Sequence, residues 1–516
     1  MRNLITAIFC FFTSLCLAQL QQNVEIEIVG MPSWQLLIPM QTKGLLLFIK
    51  TDQTKAKVIH MDKDLGKIWE KDLFLDVERA PTAYTFDNEH ATFLFRETSG
   101  MYYQLFTFDL KSGDYTNKGF ELREYFQDQD YVFLKNKLIM AGANETGGAF
   151  YEYNFETEKG RLFANNLKGN VRVQEFKLNP ESNKIESLWA VKTIGYSNEK
   201  KKKGAYTKES YLAYVDFDTL GVAVFQKDIK QVNGHFPIEG KTLTLNGKKS
   251  VLGTYQTSKA DKGVFFTNLN DPKSLKTYPF SSLIAGNQDI SPADMQKLTK
   301  EYAFLMNDPV SNAQGVVLGG VFYKPEFKNV SEQVYDPYAN QNNGSRYGNN
   351  SSIFGRNNTR TQSKRVFLGY NYPLGFVLNL DENGNELSKN RIEINQLSPQ
   401  IKQALSYNST GAVAFCVKGN LAAKNFNIGT KPILYKLSND DNAAVKTQNF
   451  IPQYQEVQNW YDNYFIANGS KNKLEVVKIE QSTEASKTRK KRKRSNSPTF
   501  TQVRKTIYLT KIASGE

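Results

Sequence analysis

Apolar and polar residues alternate with a period of two along most of the chain. Runs such as GLLLFIKTD, ATFLFRETS, KLIMAGANE, SLWAVKTIG, SVLGTYQTS, GVVLGGVFY and GAVAFCVKG are each followed by a second alternating run that turns through polar residues or glycine. The second set comprises VIHMDKDLGKIW (58–69), QLFTFDLKSGDYT (104–116), FYEYNFETEKGRLF (150–163), YLAYVDFDTLGVAVF (211–225), VFFTNLNDPKSLKTY (264–278), GFVLNLDENGNEL (375–387) and ILYKLSNDDNAAV (433–445). Alternation interrupted by regularly placed turn residues predicts antiparallel strands joined by tight hairpins. The turn glycines Gly66, Gly113 and Gly160 are spaced by about 47 residues, and Gly221 follows after a longer interval. Preceding strands such as TAYTFD and TLTLNG bring each unit to three or four strands.

A repeat of this length and strand number is similar to a propeller blade, a unit that buries its faces only against its neighbours. The expected fold is therefore all-β: a β-propeller of about seven blades, each of three to four antiparallel strands. Six or eight blades, or two smaller β-sandwiches, are the alternatives. NVEIEIVG near the N-terminus alternates cleanly, and it is expected to share a blade with NYFIANGSKNKLEVVKIE and KTIYLTKIA near the C-terminus, so closing the ring. Two short helices are expected between blades. One starts at Ser291-Pro292, with Ser291 as cap and Asp294 in the first turn; the other starts at Ser398-Pro399.

Composition adds compartment and limits. Residues 1–18 have a short basic start, an apolar stretch LITAIFCFFTSLCLA and small residues before Gln19, the form of a cleaved secretory signal rather than a spanning helix. The rest, 19–516, is expected to be a single propeller domain. Two insertions at about 332–364 and 482–500 are rich in Asn, Gly, Ser or basic residues and are expected to be disordered. With Cys10 and Cys16 in the leader, only Cys416 remains, so no internal disulfide is expected; Cys416 lies in an apolar strand and is expected to be a buried small hydrophobe. The 34 Phe and 27 Tyr suit strand positions and supply the core.

The formal charge is +14, and six of those charges sit in one run: Arg489, Lys490, Lys491, Arg492, Lys493 and Arg494. A second basic cluster is EKKKKG at 199–204. Outside the cytoplasm such charge meets acidic protein surfaces or anionic lipid headgroups, not nucleic acid. The run is the candidate partner or anion contact.

Candidate chemistry is sparse. There are three histidines, His60, His90 and His235, none spaced to form a zinc site with another. No G-x-S-x-G or phosphate-binding glycine loop occurs. Asp381, Asn383 and Glu386 surround Gly384, but a hairpin turn explains them better than an incomplete calcium loop. No catalytic, cofactor-binding or metal-binding residue is assigned, and no cofactor is expected.

Asp64, Gly66 and Trp69 form D-x-G-x-x-W, which resembles the Asp-box turn of sialidase-type propellers, with Asp62 where Ser or Thr is expected. Asp boxes are scaffold turns, so the resemblance implies fold rather than catalysis. The glutamine after the leader and the Lys, Asn, Tyr and Phe bias resemble Bacteroidetes envelope proteins. In size, compartment, basicity and architecture the chain looks like the periplasmic plug component of the type IX secretion translocon. That resemblance implies a non-enzymatic periplasmic protein, associated with the outer membrane, that binds an outer-membrane protein or translocon subunit and occludes a barrel mouth. It rests on no motif, so no contact residues are carried over. A propeller glycosidase or lyase acting on anionic glycan is the alternative, and a surface adhesin a third.

Overall fold

The computed structural model describes residues 22–513 apart from 31, 99, 123, 180, 193–209, 219–220, 260, 286–290, 336–358, 427–431, 436–452 and 479–498. The expected leader, the lysine cluster at 199–204, the run Arg489–Arg494 and most of both expected insertions lie outside the described residues.

The described strands form eight antiparallel sheets. Six are built from four consecutive strands in chain order, a seventh adds a short fifth strand, Val310–Asn312, beside its first, and the eighth joins the two ends of the chain. We number them blade 1 (34–74), blade 2 (83–121), blade 3 (127–168), blade 4 (170–229), blade 5 (235–279), blade 6 (303–398), blade 7 (405–435) and blade 8 (453–513 with 22–29). Burial follows position in the blade. The second strand of blade 1, Leu45–Lys50, is buried on both faces, whereas its fourth strand, Lys67–Phe74, shows only alternate residues to the core. A middle strand lies between two neighbouring sheets, so it needs apolar residues on both sides; an outer strand does not.

The cores lie between blades, and following them closes a ring. Phe48 and Trp69 of blade 1 pack with Phe93, Phe106 and Phe108 of blade 2. Tyr103 of blade 2 packs with Met140 and Tyr151 of blade 3. Phe150 of blade 3 meets Phe176 and Trp189 of blade 4. Tyr214 of blade 4 meets Tyr255 and Phe265 of blade 5. Phe266 of blade 5 joins Phe322 and Phe376 of blade 6. Blades 6, 7 and 8 share a cluster that includes Val377, Phe415 and Phe465. Ile466 and Leu509 of blade 8 then pack on Leu37 and Leu47 of blade 1. Each fully buried aromatic contributes roughly 2–3 kcal/mol relative to exposure, so an isolated blade would forfeit most of its stabilisation.

The fold is thus the expected all-β propeller, with eight blades instead of about seven. The two ends share a blade and close the ring as expected, but that blade is the eighth. Gln22–Val29 pairs in register with 504–511 and makes a full four-stranded sheet of its own. The seventh hairpin also needs correction. Its third strand is Asn420–Asn425, and Ile433–Tyr435 is the fourth strand, not the start of the pair.

Helix α1 (Phe280–Ile284) and helix α2 (Pro292–Glu301) sit between blades 5 and 6 and pack Phe280, Leu283, Ile284 and Leu298 onto that core. Ser291 caps α2 as expected, accepting the Asp294 amide at 3.1 Å. The helix expected from Ser398 does not form. Ser398 ends a strand, and the following backbone is claimed by neighbours: Lys402 N donates to the Tyr372 hydroxyl, Val457 N to Gln403 O and Cys416 N to Ala404 O. Those interstrand bonds use groups a helix would have needed. No described helix is long and apolar enough to cross a membrane.

Two hairpins outgrow the ring. In blade 6 the second and third strands are Gly315–Tyr335 and Thr359–Asp381; in blade 8 they are Tyr464–Lys478 and Thr499–Ala513. The borders of both expected insertions, 332–335 with 359–364 and 499–500, are therefore paired strand, because each flank finds its ladder partner across the hairpin.

Candidate binding face

Because adjacent strands run antiparallel, the hairpins between second and third strands share a face with the connections that cross from one blade to the next. The two long arms therefore project on the same side. The opposite side carries the hairpins between third and fourth strands, and these explain the sequence repeat. Asp62, Asp109, Asn154 and Asp381 each turn a side-chain oxygen onto two backbone amides of the following turn.

In the D-x-G-x-x-W stretch it is Asp62 that holds the turn, and Leu65, not Gly66, adopts the left-handed backbone. Gly66 is needed because a Cβ there would come within 2.7 Å of the Asp62 carboxylate. Asp64 instead reaches blade 8, where the Lys511 ammonium lies 2.8 Å away. Hydrogen bonding to Lys511 holds the Asp64 carboxyl below the usual carboxylate range. Trp69 packs between blades 1 and 2, its Nε1 donating to Leu110 O at 2.8 Å. The turn at Asp381–Asn385 is a hairpin turn, as expected, with the Asp381 carboxylate engaged by Asn383 N and Asn385 N.

The innermost strands line a central channel. Tyr84 of blade 2 feels burial and then the charges of Glu456 in blade 8 and Asp308 in blade 6, which raise its pKa across the ring. The channel carboxylates have lysine, arginine or hydrogen-bond partners; Arg172 of blade 4 is 3.7 Å from Glu239 of blade 5. Lys241 is 3.1 Å from Asp308, and Lys402 is 3.1 Å from Glu456. Lys177 is 3.2 Å from Glu175, which also accepts the Thr242 amide at 2.8 Å. Burial pushes the Asp130 carboxyl up to about 6, against hydrogen bonds from the Tyr131 and Phe176 amides.

One arginine does meet a carboxylate and tyrosines: Arg96 lies 2.7 Å from Asp128, which Tyr131 also contacts. The Asp128 side chain is sealed from solvent, between blades 2 and 3, so this group joins blades. The histidines stay apart. His60 is buried between Leu110 O and Lys43 O, His90 lies beside Asp87, and His235 packs on Tyr255. Cys416 is fully buried, and burial raises its thiol pKa far above the usual range. Among the described residues no three or more His, Cys, Asp or Glu side chains group as metal ligands would.

The arm-bearing face presents the most distinctive surface. On the blade 6 arm Phe327 and Phe367 are paired across the ladder at 5.5 Å, exposed, with Arg365 stacked 4.0 Å over the Phe327 ring. Leu368 is exposed next to them. Gly369 lets the strand swing there, since its φ is +142° and a Cβ would meet Ser398 O at 2.7 Å.

Between this arm and the blade 8 arm lies a cleft of about 570 Å³. Val366, Phe367 and Leu368 form one wall, Ser470, Asn472 and Lys505 the other. Lys402 and Gln35 also line it. Burial, with the nearby charge of Lys402, pushes the Lys505 ammonium pKa down to about 8. None of these residues was singled out from the sequence, because they come from blades 1, 6 and 8 and the crossing before blade 7. The available signal was indirect: the alternation that runs on past both insertions.

No family model matches the chain, and no curated protein relative matches it. Solved structures give distant likenesses. A cobalt-substituted Synechocystis ACO is 8% identical with a TM-score of 0.31, over 48% of this chain and 62% of that one. TolB from Acinetobacter baumannii is 13% identical with a TM-score of 0.29, over 70% of this chain and 63% of that one. The chain thus spans less than two thirds of either.

Proposed function

We propose that the protein is a non-enzymatic binding platform of the periplasm that docks on an outer-membrane protein complex through its arm-bearing face. The observation that carries this reading is the pair of long hairpins on one side of the ring, with Phe327, Phe367 and Leu368 exposed on one of them. Exposed aromatics beside a stacked arginine are the side chains that dominate protein interfaces. The channel supports it too: among the described residues its carboxylates lie mainly against lysines and backbone amides, and Arg172 beside Glu239 is a single pair rather than the arginine cluster that sialidase-type chemistry would use. In the finer form of the proposal the partner is the barrel of a type IX secretion translocon, and the rigid ring occludes its periplasmic mouth. The mature chain's residual basicity and the run Arg489–Arg494 would add attraction to an acidic partner or lipid surface.

Affinity purification from envelope extract in mild detergent tests this. An outer-membrane protein should co-purify with the wild type and be lost with Phe327→Ser/Phe367→Ser. Recovery of the wild type only as a free monomer, across several detergents, would overturn the platform reading. Deleting Arg489–Arg494 is expected to reduce the salt sensitivity of the association; an unchanged salt dependence would remove the run from the interface.

A further inference from the structure

We infer that the cleft between the two arms is a peptide-recognition site, taking an extended segment that carries an acidic group next to an apolar side chain. Three features of the walls define the ligand. The first is cationic. Lys402 and Lys505 both line the cleft; Lys402 has Glu456 as counter-ion, but no described carboxylate pairs with Lys505. A half-buried ammonium held beside another ammonium favours an anionic ligand. The second is apolar: Val366, Phe367 and Leu368 stand exposed along the opposite wall, beside the buried Trp34.

The third is a set of unanswered amides. Gln35 is 8% exposed, and its side-chain oxygen has no hydrogen-bond partner among the described residues; the Asn472 oxygen is likewise buried and unpartnered. Buried amide oxygens without donors are uncommon and costly. A peptide backbone supplies N–H donors to such oxygens, and an acidic side chain or terminal carboxylate supplies the anion for Lys505. A lipid phosphate with acyl chains would meet the lysine and the apolar wall but leave the amides unanswered. The volume of about 570 Å³ falls within the size of ligand sites generally, enough for a few residues. The inference rests on the platform reading only for where the peptide comes from, a segment of the docked partner.

The test uses the mature full-length protein and a synthetic library of labelled hexapeptides. Each peptide pairs one Asp or Glu with Leu, Phe or Tyr; a matched library carries Asn and Gln instead. Fluorescence anisotropy is expected to show saturable binding to acidic members, weakened about tenfold or more by Lys505→Gln and by Phe367→Ser, and kept by Lys505→Arg. Binding should also weaken as pH rises through about 8, where Lys505 loses its charge. Thermal melting like that of wild type checks that the variants fold.

Equal binding of both libraries, or acidic binding unchanged in Lys505→Gln, would overturn the inference. So would saturable binding to phosphatidylglycerol vesicles with none to any peptide. If an envelope partner co-purifies but no peptide binds, the cleft proposal alone fails. If acidic peptides bind as expected but no envelope partner is found, the cleft proposal stands and the platform reading fails.

Discussion

Single residues here mostly join one blade to the next, and their ionisation shows it. Asp130 faces the channel from blade 3, with burial raising its folded pKa to about 6. Its unfolded value is about 3.9, so the folded state binds the proton more tightly. The stability this adds is full below about pH 4 and is lost as pH rises through about 6. Asp130→Asn keeps an oxygen for the Tyr131 and Phe176 amides and removes the buried charge. It is expected to stabilise the protein by about 1–2 kcal/mol at pH 8 and by nothing measurable at pH 4, read from urea midpoints. Gly113 is a second case. Its φ is +75°, and a Cβ would stand 2.7 Å from the Trp69 ring across the interface of blades 1 and 2. Gly113→Ala should cost about 1–3 kcal/mol in the same measurement. The sequence showed Gly113 as a turn glycine in a repeat. It could not show Trp69 lying over that turn, because the contact crosses from one repeat to the next.

Among elements, most strands and the blade shared by the two ends were legible, while the claims of neighbouring blades on the segments between strands were not. Hairpins announced themselves through alternation and through polar or glycine turns; the Asp or Asn that holds several of those turns emerged only in the structure. The blade 7 hairpin was misplaced because its third strand, Asn420–Asn425, is short and begins right after the Lys418-Gly419 turn, while ILY looks like a fresh start. The false helix at Ser398 had the right cap residues and an apolar pattern, but its amides and carbonyls are taken by blades 6, 7 and 8. Local propensity lost to long-range pairing, as it does wherever a segment is already hydrogen-bonded on both sides. The arms form part of this lesson: polar, glycine-rich composition at 332–364 suggests disorder, yet 332–335 pairs with 359–362 along one ladder. Joining Lys324 to Asn371 through an Asn-Gly turn would remove the blade 6 arm. It should change the unfolding free energy by no more than about 1–2 kcal/mol, since the described residues it removes are largely exposed, while abolishing capture of the proposed partner.

For the whole molecule, the ring is held shut at one seam. Gln22–Val29 adds to the outer edge of blade 8, the Lys511 ammonium bonds Asp64 and the Lys63 carbonyl across to blade 1, and Trp460 donates to Gly44 O at 3.0 Å. A chain that starts at Gly30 should lose about 3–5 kcal/mol from the unpacked Ile28 and its partly buried neighbours. It should also associate through the bared strand at 499–513, visible by size-exclusion chromatography. The candidate cleft belongs to this scale as well. It was illegible beforehand because its walls, from Gln35 to Lys505, come together only when blade 8 meets blade 1. The seam has a consequence in time. Gln22 pairs with Lys511, so this strand must wait until residues 504–511 have been made before it finds its place. No intermediate length of nascent chain can close the circle, and pairing at such separation is slow. A truncated or stalled chain would carry Gln22–Val29 as an unclaimed amphipathic strand, the exposed mark of an unfinished molecule.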